Sequence, residues 1–336
     1  MITDQFNGRG ADARPAVPVI HIASYLHGSA EDRARVAAEV NRACSEVGFF
    51  VVTGHGVDPQ LTEALRGVST AFFDLPEEEK RRYTSNPGRT MGYVPMGREN
   101  LAATLGKTRP ADVKEVFDIC RPDVPADEYY TSPMGRRLFR PYPWPDRPEQ
   151  FREVWTQYYR TMERLAADMM RLFADALGLP SDYFADRTNR SVDYLRVINY
   201  PAQVEAPADG QLRAGEHTDY GTLTLLATED VPGGLQVRTR AGEWSDVPHV
   251  SGGFVVNIGD MMAQWTNDVW VSTLHRVANP KAGQSARRQS IAFFQNPNYD
   301  TIIKPLATCV SEANPPRYEA TPAGEWLVDK ATKQRT

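Results

Sequence analysis

The sequence predicts a mainly β protein with helical additions, whose core is an antiparallel sandwich or jelly roll. Short β-like runs recur in the C-terminal half, at 194–200, 222–227, 234–238, 254–258, 269–277 and 289–294. Turn signals rich in glycine, such as those at 232–234 and 251–253, separate these runs. Several short strands at this spacing favour a sandwich or jelly roll over a parallel sheet.

The N-terminal part of the chain contains two candidate strands, each followed by a candidate helix. Residues 18–22 alternate apolar side chains as a short strand does, and residues 48–53 form an apolar, β-rich run. Ser29 is placed to cap a helix with an apolar stripe, and a second helix is predicted over 59–73. These elements are expected to pack on the β-core.

A long polar stretch and an amphipathic helix come next. Residues 85–148 are rich in Gly, Pro and polar side chains, which indicates an irregular insertion that carries function. From Phe151 onward, apolar residues recur at three- and four-residue steps until Gly178 and Pro180 end the helix. We expect one compact unit with an N-terminal region, a supporting helix, a jelly-roll core and a C-terminal segment, at 1–150, 151–190, 191–300 and 301–336.

Composition excludes several classes of partner. The chain has 38 Lys and Arg against 43 Asp and Glu, and no basic cluster of the kind that binds phosphate backbones, so no nucleic-acid partner is expected. No secretory signal and no run of about 18 apolar residues is found, which predicts a cytoplasmic protein without a membrane partner. Nothing in the sequence indicates an obligate protein partner. The three cysteines lack CxxC spacing, so a metal site has to be built from His and carboxylates.

One short motif offers such a site. His217 and Asp219 are two residues apart, and on a strand their side chains would project from the same face. His275 lies in a later β-like run, which an antiparallel pairing can bring alongside. Two imidazoles and one carboxylate leave coordination positions open, as iron(II) requires when it binds O2 and an organic co-substrate. A structural zinc site would instead be closed by four protein ligands.

A second pair of residues strengthens this interpretation. Arg288 and Ser290 are again two apart in a β-like run, so both can face one cavity. A guanidinium matches a carboxylate with two parallel hydrogen bonds, and a hydroxyl adds another. This pair would hold the distal carboxylate of a dicarboxylate whose other end binds the metal. The alternative is that Arg287 and Arg288 form a solvated surface pair.

Several segments, taken together and in order, resemble the isopenicillin N synthase-like branch of the iron(II)/2-oxoglutarate oxygenases. The resemblance covers most of the chain and is loose only over about 85–150, where short pieces are similar to ethylene-forming-type enzymes. It implies a double-stranded β-helix (jelly roll) core flanked by N-terminal and long central helices. The matching segments are PVIHI, EVGFFVVTGHGV, FFDLPEEEK, EHTDYGTLTLL, GGLQV, FVVNIGDMM, STLHRVANP and RRQSIAFFQNP.

The resemblance also implies residue roles. The iron ligands of the family fall on the His-Asp-His set described above, and its RxS pair falls on Arg288 and Ser290, which would bind the C5 carboxylate of 2-oxoglutarate. Tyr200 matches a tyrosine that often contacts the co-substrate, although a core aromatic residue with a bonded hydroxyl is an equal alternative. The implied cofactors and co-substrates are Fe(II), 2-oxoglutarate and O2.

The activity implied is that of an oxidoreductase of secondary metabolism. Such a dioxygenase couples the oxidative decarboxylation of 2-oxoglutarate, to succinate and CO2, with O2-dependent hydroxylation, desaturation or cyclisation of a small molecule. Five residues in variable segments are candidate substrate contacts, although lone charges in a loop are often merely solvated. They are Arg98, Glu99, Asn100, Tyr220 and Phe294.

Two other functions remain open at this point. The first is an iron(II) oxidase of the same fold that needs no 2-oxoglutarate, in which the RxS pair holds a substrate carboxylate. The second is a non-catalytic jelly-roll protein that binds a metal for structure, although such a protein has no need of an arginine clamp.

Overall fold

The computed structural model describes residues 17–84, 91–203, 207–281, 283–284 and 286–333. Its helices are α1 Ala23–His27, α2 Ala30–Glu46, α3 Pro59–Phe73, α4 Glu77–Lys80, α5 Glu128–Thr131, α6 Pro133–Leu138, α7 Phe151–Ala176, α8 Ala185–Thr188, α9 Asp260–Trp265 and α10 Ala323–Lys333. Its strands are β1 Val19–His21, β2 Phe49–Thr53, β3 Gly92–Val94, β4 Glu115–Ile119, β5 Tyr194–Tyr200, β6 Ala214–His217, β7 Leu223–Ala227, β8 Leu235–Arg238, β9 Trp244–Asp246, β10 Phe254–Ile258, β11 His275–Val277, β12 Arg288–Gln295, β13 Ile302–Ile303 and β14 Thr321–Pro322.

Two sheets form the β-core. The larger has eight strands in the order β1-β2-β10-β7-β12-β5-β4-β3, and the smaller has four in the order β6-β11-β8-β9. All neighbours are antiparallel except β1 and β2. This non-sequential strand order is that of a jelly roll, and it confirms the mainly β core flanked by helices.

The larger sheet is buried on both faces, and its side chains alternate between two environments. On β12, Ser290, Ala292 and Phe294 face a cavity between the sheets, while Ile291 and Phe293 belong to the hydrophobic core on the other side. Because successive side chains of a strand point to opposite faces, alternate residues of β12 line the cavity and the residues between them pack in the core.

The helices cover the outer face of the larger sheet. The long helix α7 has twelve buried residues, and its Tyr159 ring lies 5.3 Å from that of Phe293, measured between centroids. Helices α2 and α3 pack against α7. The capping role predicted for Ser29 is confirmed, since its hydroxyl accepts a hydrogen bond from the Asp32 amide at 3.2 Å. Among the helices of the described ranges, none combines the length and the apolar composition that a membrane-spanning segment needs.

Three local predictions were wrong in part. The stretch 85–148 is not wholly irregular, because β3 and β4 extend the larger sheet beyond β5. Charged residues within β4 hid its strand character, and they are buried because ion-pair partners lie opposite them. Of the run 269–277, only β11 is a strand. Asp219 lies just after β6 rather than on it. The division of the chain at residues 150, 190 and 300 stays a prediction.

Candidate metal and co-substrate site

A cavity of about 390 Å³ lies between the two sheets. Strands β5, β7, β10 and β12 of the larger sheet form one wall, and β6, β8 and β11 of the smaller sheet form the other. Leu327 and Val328 of the C-terminal helix α10 also line it. The residues singled out by the two sequence motifs all line this one cavity.

His217, Asp219 and His275 come together at the smaller sheet. Their potential ligand atoms all lie within 4.8 Å of one another. Strands β6 and β11 pair antiparallel with His275 directly opposite His217, and the Asp219 Oδ1 atom lies 3.8 Å and 3.6 Å from the Nε2 atoms of His217 and His275. An antiparallel pairing between distant segments therefore assembles the triad, as the sequence predicted.

Backbone groups hold the two imidazoles, and also the turn that carries Asp219, in place. The Nδ1 atom of His217 is hydrogen-bonded to the Gly215 carbonyl at 2.8 Å, and that of His275 to the Thr273 carbonyl at 3.0 Å. A carbonyl oxygen only accepts, so each Nδ1 carries a hydrogen, and Nε2 is the ring nitrogen that lies on the side of Asp219. The Asp219 carbonyl accepts a hydrogen bond from the Asp260 amide at 2.7 Å, which ties the turn after β6 to the start of α9.

Burial and charge favour the deprotonated forms of His217 and Asp219, which are the forms that bind a cation. Burial and the neighbouring His275 lower the pKa of His217 to about 3. At Asp219 burial opposes ionisation, but the two imidazoles outweigh it and hold the pKa of the carboxyl well below its usual range. Burial also opposes the charged form of His275, whereas Asp219 raises its pKa above the ordinary value. With His217 neutral and Asp219 ionised, the triad presents an imidazole and a carboxylate that can bind a cation, whereas His275 has to lose a proton from its charged form to do so.

Sequence reasoning missed two residues that orient Asp219. The Thr224 hydroxyl and the Asn257 amide both donate to Asp219 Oδ2, at 2.5 Å and 2.7 Å, which leaves Oδ1 facing the imidazoles. Both residues lie in segments that carried the family resemblance, and that was the only signal available. Residues that hydrogen-bond to a metal-binding carboxylate in this way fix its orientation.

Thr224→Val should weaken iron(II) binding by about 10-fold to 100-fold, because it removes one of the two donors that orient Asp219. Anaerobic competition against a chromophoric iron(II) chelator measures this affinity. Thr224→Ser, which retains the hydroxyl, should bind iron about as tightly as the wild type. If the Val variant bound iron with unchanged affinity, the hydroxyl would have no supporting role.

Arg288 is a buried cation at the other end of the cavity. It is 2% exposed, its Nη1 donates to the Gly233 carbonyl at 3.4 Å, and its Nε has no hydrogen-bond partner. Within the described ranges, no carboxylate lies at ion-pair distance from its guanidinium. Burial lowers the pKa of Arg288, and the more distant Tyr200 and Glu229 offset this effect only in part. A buried unpaired cation of this kind is suited to an anionic ligand.

The neighbours of Arg288 complete this end. Ser290 lines the same wall, and Tyr200, which pairs with Arg288 across β5 and β12, has its ring 6.0 Å from the guanidinium carbon. Arg213 lies at the same distance from that ring, and it was not identified from the sequence. Arg287 points away from the cavity to Asn199 and Asp74. The burial of Arg288 excludes the alternative of a solvated surface pair.

The candidate substrate residues are divided between two places. Tyr220 and Phe294 line the cavity. Arg98 is exposed, and Asn100 donates to the Arg109 carbonyl at 2.8 Å; neither lines the cavity. Glu99 lies behind the cavity wall and binds Lys114 and Arg196, which do line it. Substrate contact by any of the five stays a prediction.

The residues present fit the group implied by the resemblance. Two imidazole nitrogens and one carboxylate oxygen converge on one point, which matches the donor set of non-haem iron(II). The orphaned Nε of the buried Arg288 matches the need of a dicarboxylate co-substrate for a cation. Both features face one cavity of a size suited to small molecules.

Two family models match the chain. The model described as non-haem dioxygenase in morphine synthesis N-terminal covers residues 17–147, and that of the 2OG-Fe(II) oxygenase superfamily covers residues 192–297. The second match spans the strands from β5 to β12. The two models together cover most of the chain.

Several known proteins are similar over most of their length. Homoarginine-6-hydroxylase 2-ODD-233 of Oryza sativa subsp. japonica is 35% identical, over 89% of this chain and 89% of its own. Validamycin A dioxygenase of Streptomyces hygroscopicus subsp. limoneus is 31% identical, over 88% and 80%. A full-length Neurospora crassa protein, whose crystal structure is a complex with alpha-KG (2-oxoglutarate), has a TM-score of 0.81 at 30% identity, over 94% of this chain and 96% of that one.

These matches exclude the non-catalytic alternative and make Fe(II), 2-oxoglutarate and O2 the cofactor and co-substrates of the enzyme. The chain belongs to the 2OG-Fe(II) oxygenase superfamily, in its isopenicillin N synthase-like branch, and is a 2-oxoglutarate-dependent dioxygenase.

Proposed function

We propose that His217, Asp219 and His275 bind the iron(II), and that Arg288 and Ser290 bind the distal carboxylate of 2-oxoglutarate beside Tyr200. The observation that carries this proposal is the burial of the unpaired Arg288 guanidinium in the same cavity as the triad. Ionisation of a buried arginine without a counter-ion is costly, and a bound carboxylate removes that cost.

Each residue has a defined task in this proposal. Bound iron(II), with 2-oxoglutarate and O2, supplies the oxidation of a substrate C–H bond, coupled to release of succinate and CO2. Asp219 and the two Nε2 atoms hold the metal, while Thr224 and Asn257 keep the carboxylate oriented. Arg288 orients the co-substrate through its planar fork of donors. Apolar side chains, among them Leu226, Leu235 and Val277, line the cavity and exclude water from it.

The substrate is a small molecule, as it is for the relatives, and we propose that the outcome is hydroxylation. Relatives in rice, soybean and Arabidopsis are named homoarginine-6-hydroxylases, whereas others are named for validamycin A and clavatol. A role in secondary metabolism is consistent with this variety. A cytoplasmic location stays a prediction from the sequence.

One assay tests whether the protein binds 2-oxoglutarate at an iron(II) site and consumes it. Anaerobic protein with iron(II) should develop a weak visible charge-transfer band when 2-oxoglutarate is added, and it should release succinate on exposure to air. A band that is absent, or succinate that never exceeds the level of a metal-free control, would contradict the proposal and favour an oxidase that takes all electrons from its substrate.

A further inference from the structure

Five buried or half-buried side chains form a chain of ion pairs beside the cavity, in which negative and positive charges alternate. Asp112 binds Lys114 at 3.1 Å, Lys114 binds Glu99 at 3.2 Å, and Glu99 binds Arg196 at 3.1 Å. Arg196 then binds Asp118 through two parallel hydrogen bonds of 2.7 Å and 2.8 Å. Lys114, Arg196 and Asp118 line the cavity itself, while Asp112 and Glu99 lie behind it.

The chain of charges is one cation short. It contains three carboxylates and two cations, so it has a net charge of −1 in a region shielded from water. The Asp112 end is satisfied by the amides of Leu101 and Gly215, at 3.2 Å and 2.9 Å. The Asp118 end receives hydrogen bonds from Arg196 alone among the described residues. Asp118 is 3% exposed, and an ionised carboxylate has about four acceptor positions, so acceptor capacity remains on the cavity side.

Asp118 lies outside the reach of the proposed co-substrate clamp. Across the larger sheet Asp118 pairs with Arg196, which pairs with Ala292. Ala292 is four residues along β12 from Arg288, a separation of about 13 Å at the usual strand rise. A five-carbon diacid held by Arg288 with its other end on the metal does not extend that far along the strand. Asp118 therefore belongs to the part of the cavity left for the primary substrate.

Two further cations line the cavity, but they do not neutralise Asp118. Arg137 and Arg140 come from the region of α6, and neither forms an ion pair or hydrogen bond with Asp118. Arg137 is exposed, so water and salt screen its charge. Within the described part of the chain, the missing positive charge beside Asp118 is not supplied by the protein.

We propose that Asp118 binds a positively charged group of the primary substrate, so that the substrate is a small organic amine or guanidine. The inference rests on the proposed function, because it takes Arg288 as the 2-oxoglutarate clamp. A substrate cation would extend the alternating chain by one charge and fill the free acceptor positions of Asp118. Arg196 alone does not offset the cost of burying the Asp118 carboxylate, since burial raises the pKa of Asp118 to about 6 in spite of this arginine.

Matched pairs of probes test this without altering the protein. The two members of each pair differ in one group only, which is charged in the first and uncharged in the second: L-homoarginine and L-homocitrulline, butylguanidine and butylurea, and L-lysine and 6-hydroxy-L-norleucine. The protein is loaded anaerobically with iron(II) and 2-oxoglutarate, and binding is followed by calorimetry and by the rise in Tm. At least one cation should bind about 10-fold to 100-fold more tightly than its neutral partner, because a charge-assisted hydrogen bond is lost in the latter.

A variant assigns the effect to the carboxylate. Asp118→Asn should reduce the affinity for the preferred cation by a similar factor and should bring it close to that of the neutral isostere. Glu163→Gln is the matched control, because Glu163 also binds two arginines, Arg121 and Arg160, but does not line the cavity. This control should retain the preference for the cation.

The outcomes separate this inference from the proposed function. Loss of the 2-oxoglutarate charge-transfer band in wild-type protein would contradict the proposed function. A normal band, together with no binding of any cation or with equal binding of cations and isosteres, would overturn the role of Asp118 alone. An Asp118→Asn variant that bound the cation as tightly as the wild type would overturn it as well.

Discussion

Replacing His217 with Ala is expected to abolish iron(II) binding and, with it, succinate formation. The substitution removes one of the three proposed iron ligands and leaves only Asp219 and His275 of the triad. Removing a residue that hydrogen-bonds to a metal ligand already lowers metal affinity by about 10-fold to 100-fold. Removing the ligand itself should therefore lower it by more. Iron content after anaerobic dialysis and succinate released in air measure the two effects.

His27→Ala is the matched control for this prediction. His27 is exposed at the end of α1, far along the chain from the triad, and does not line the cavity. The control should retain both iron and activity. Thermal unfolding of both variants without metal shows whether the fold persists. If folded His217→Ala protein retained iron and produced succinate at the wild-type rate, the assignment of the triad would be wrong.

Arg288→Ala should chiefly raise the concentration of 2-oxoglutarate that the enzyme requires. Truncation of one member of a buried, hydrogen-bonded charge pair costs about 2 kcal/mol or more, which corresponds to a rise in Kd of roughly 30-fold or more. Iron binding should persist, because Arg288 makes no contact with the triad. Anaerobic titration of the charge-transfer band with 2-oxoglutarate gives the Kd directly.

Two further arginine variants make the test specific. Arg287→Ala removes the neighbouring guanidinium, which binds Asp74 at 2.6 Å on the other side of the sheet, and it should leave the 2-oxoglutarate Kd unchanged. Arg288→Lys keeps the charge but loses the planar fork, so its Kd should lie between those of the wild type and Arg288→Ala. If Arg288→Ala lost affinity for iron(II) as much as for 2-oxoglutarate, the proposed division of roles between Arg288 and the triad would be contradicted.

Much of the fold was predictable because its strongest signals are local. The stripe of α7, the cap at Ser29 and the apolar run of β10 each depend on residues close together in sequence. Strand β4 escaped recognition because Glu115 and Asp118 interrupt its apolar pattern. Their burial depends on Lys80 and Arg196, which other parts of the chain supply. A pattern within one segment does not show such partners.

The candidate site shows the same division. The residue types and spacing of the His-x-Asp and Arg-x-Ser motifs, with the order of the matching segments, were enough to predict the metal ligands and the co-substrate clamp and to identify the family. The tertiary structure alone decided that Thr224 and Asn257 orient Asp219, that Arg288 is buried without a counter-ion, and that Asp118 ends an alternating chain of charges. Each of these depends on groups from different strands meeting in a space closed to water, where a charge must find a partner. The spacing of residues in the sequence determines which side chains of a strand lie on the same face of the sheet. The pairing of the strands determines which other side chains they contact.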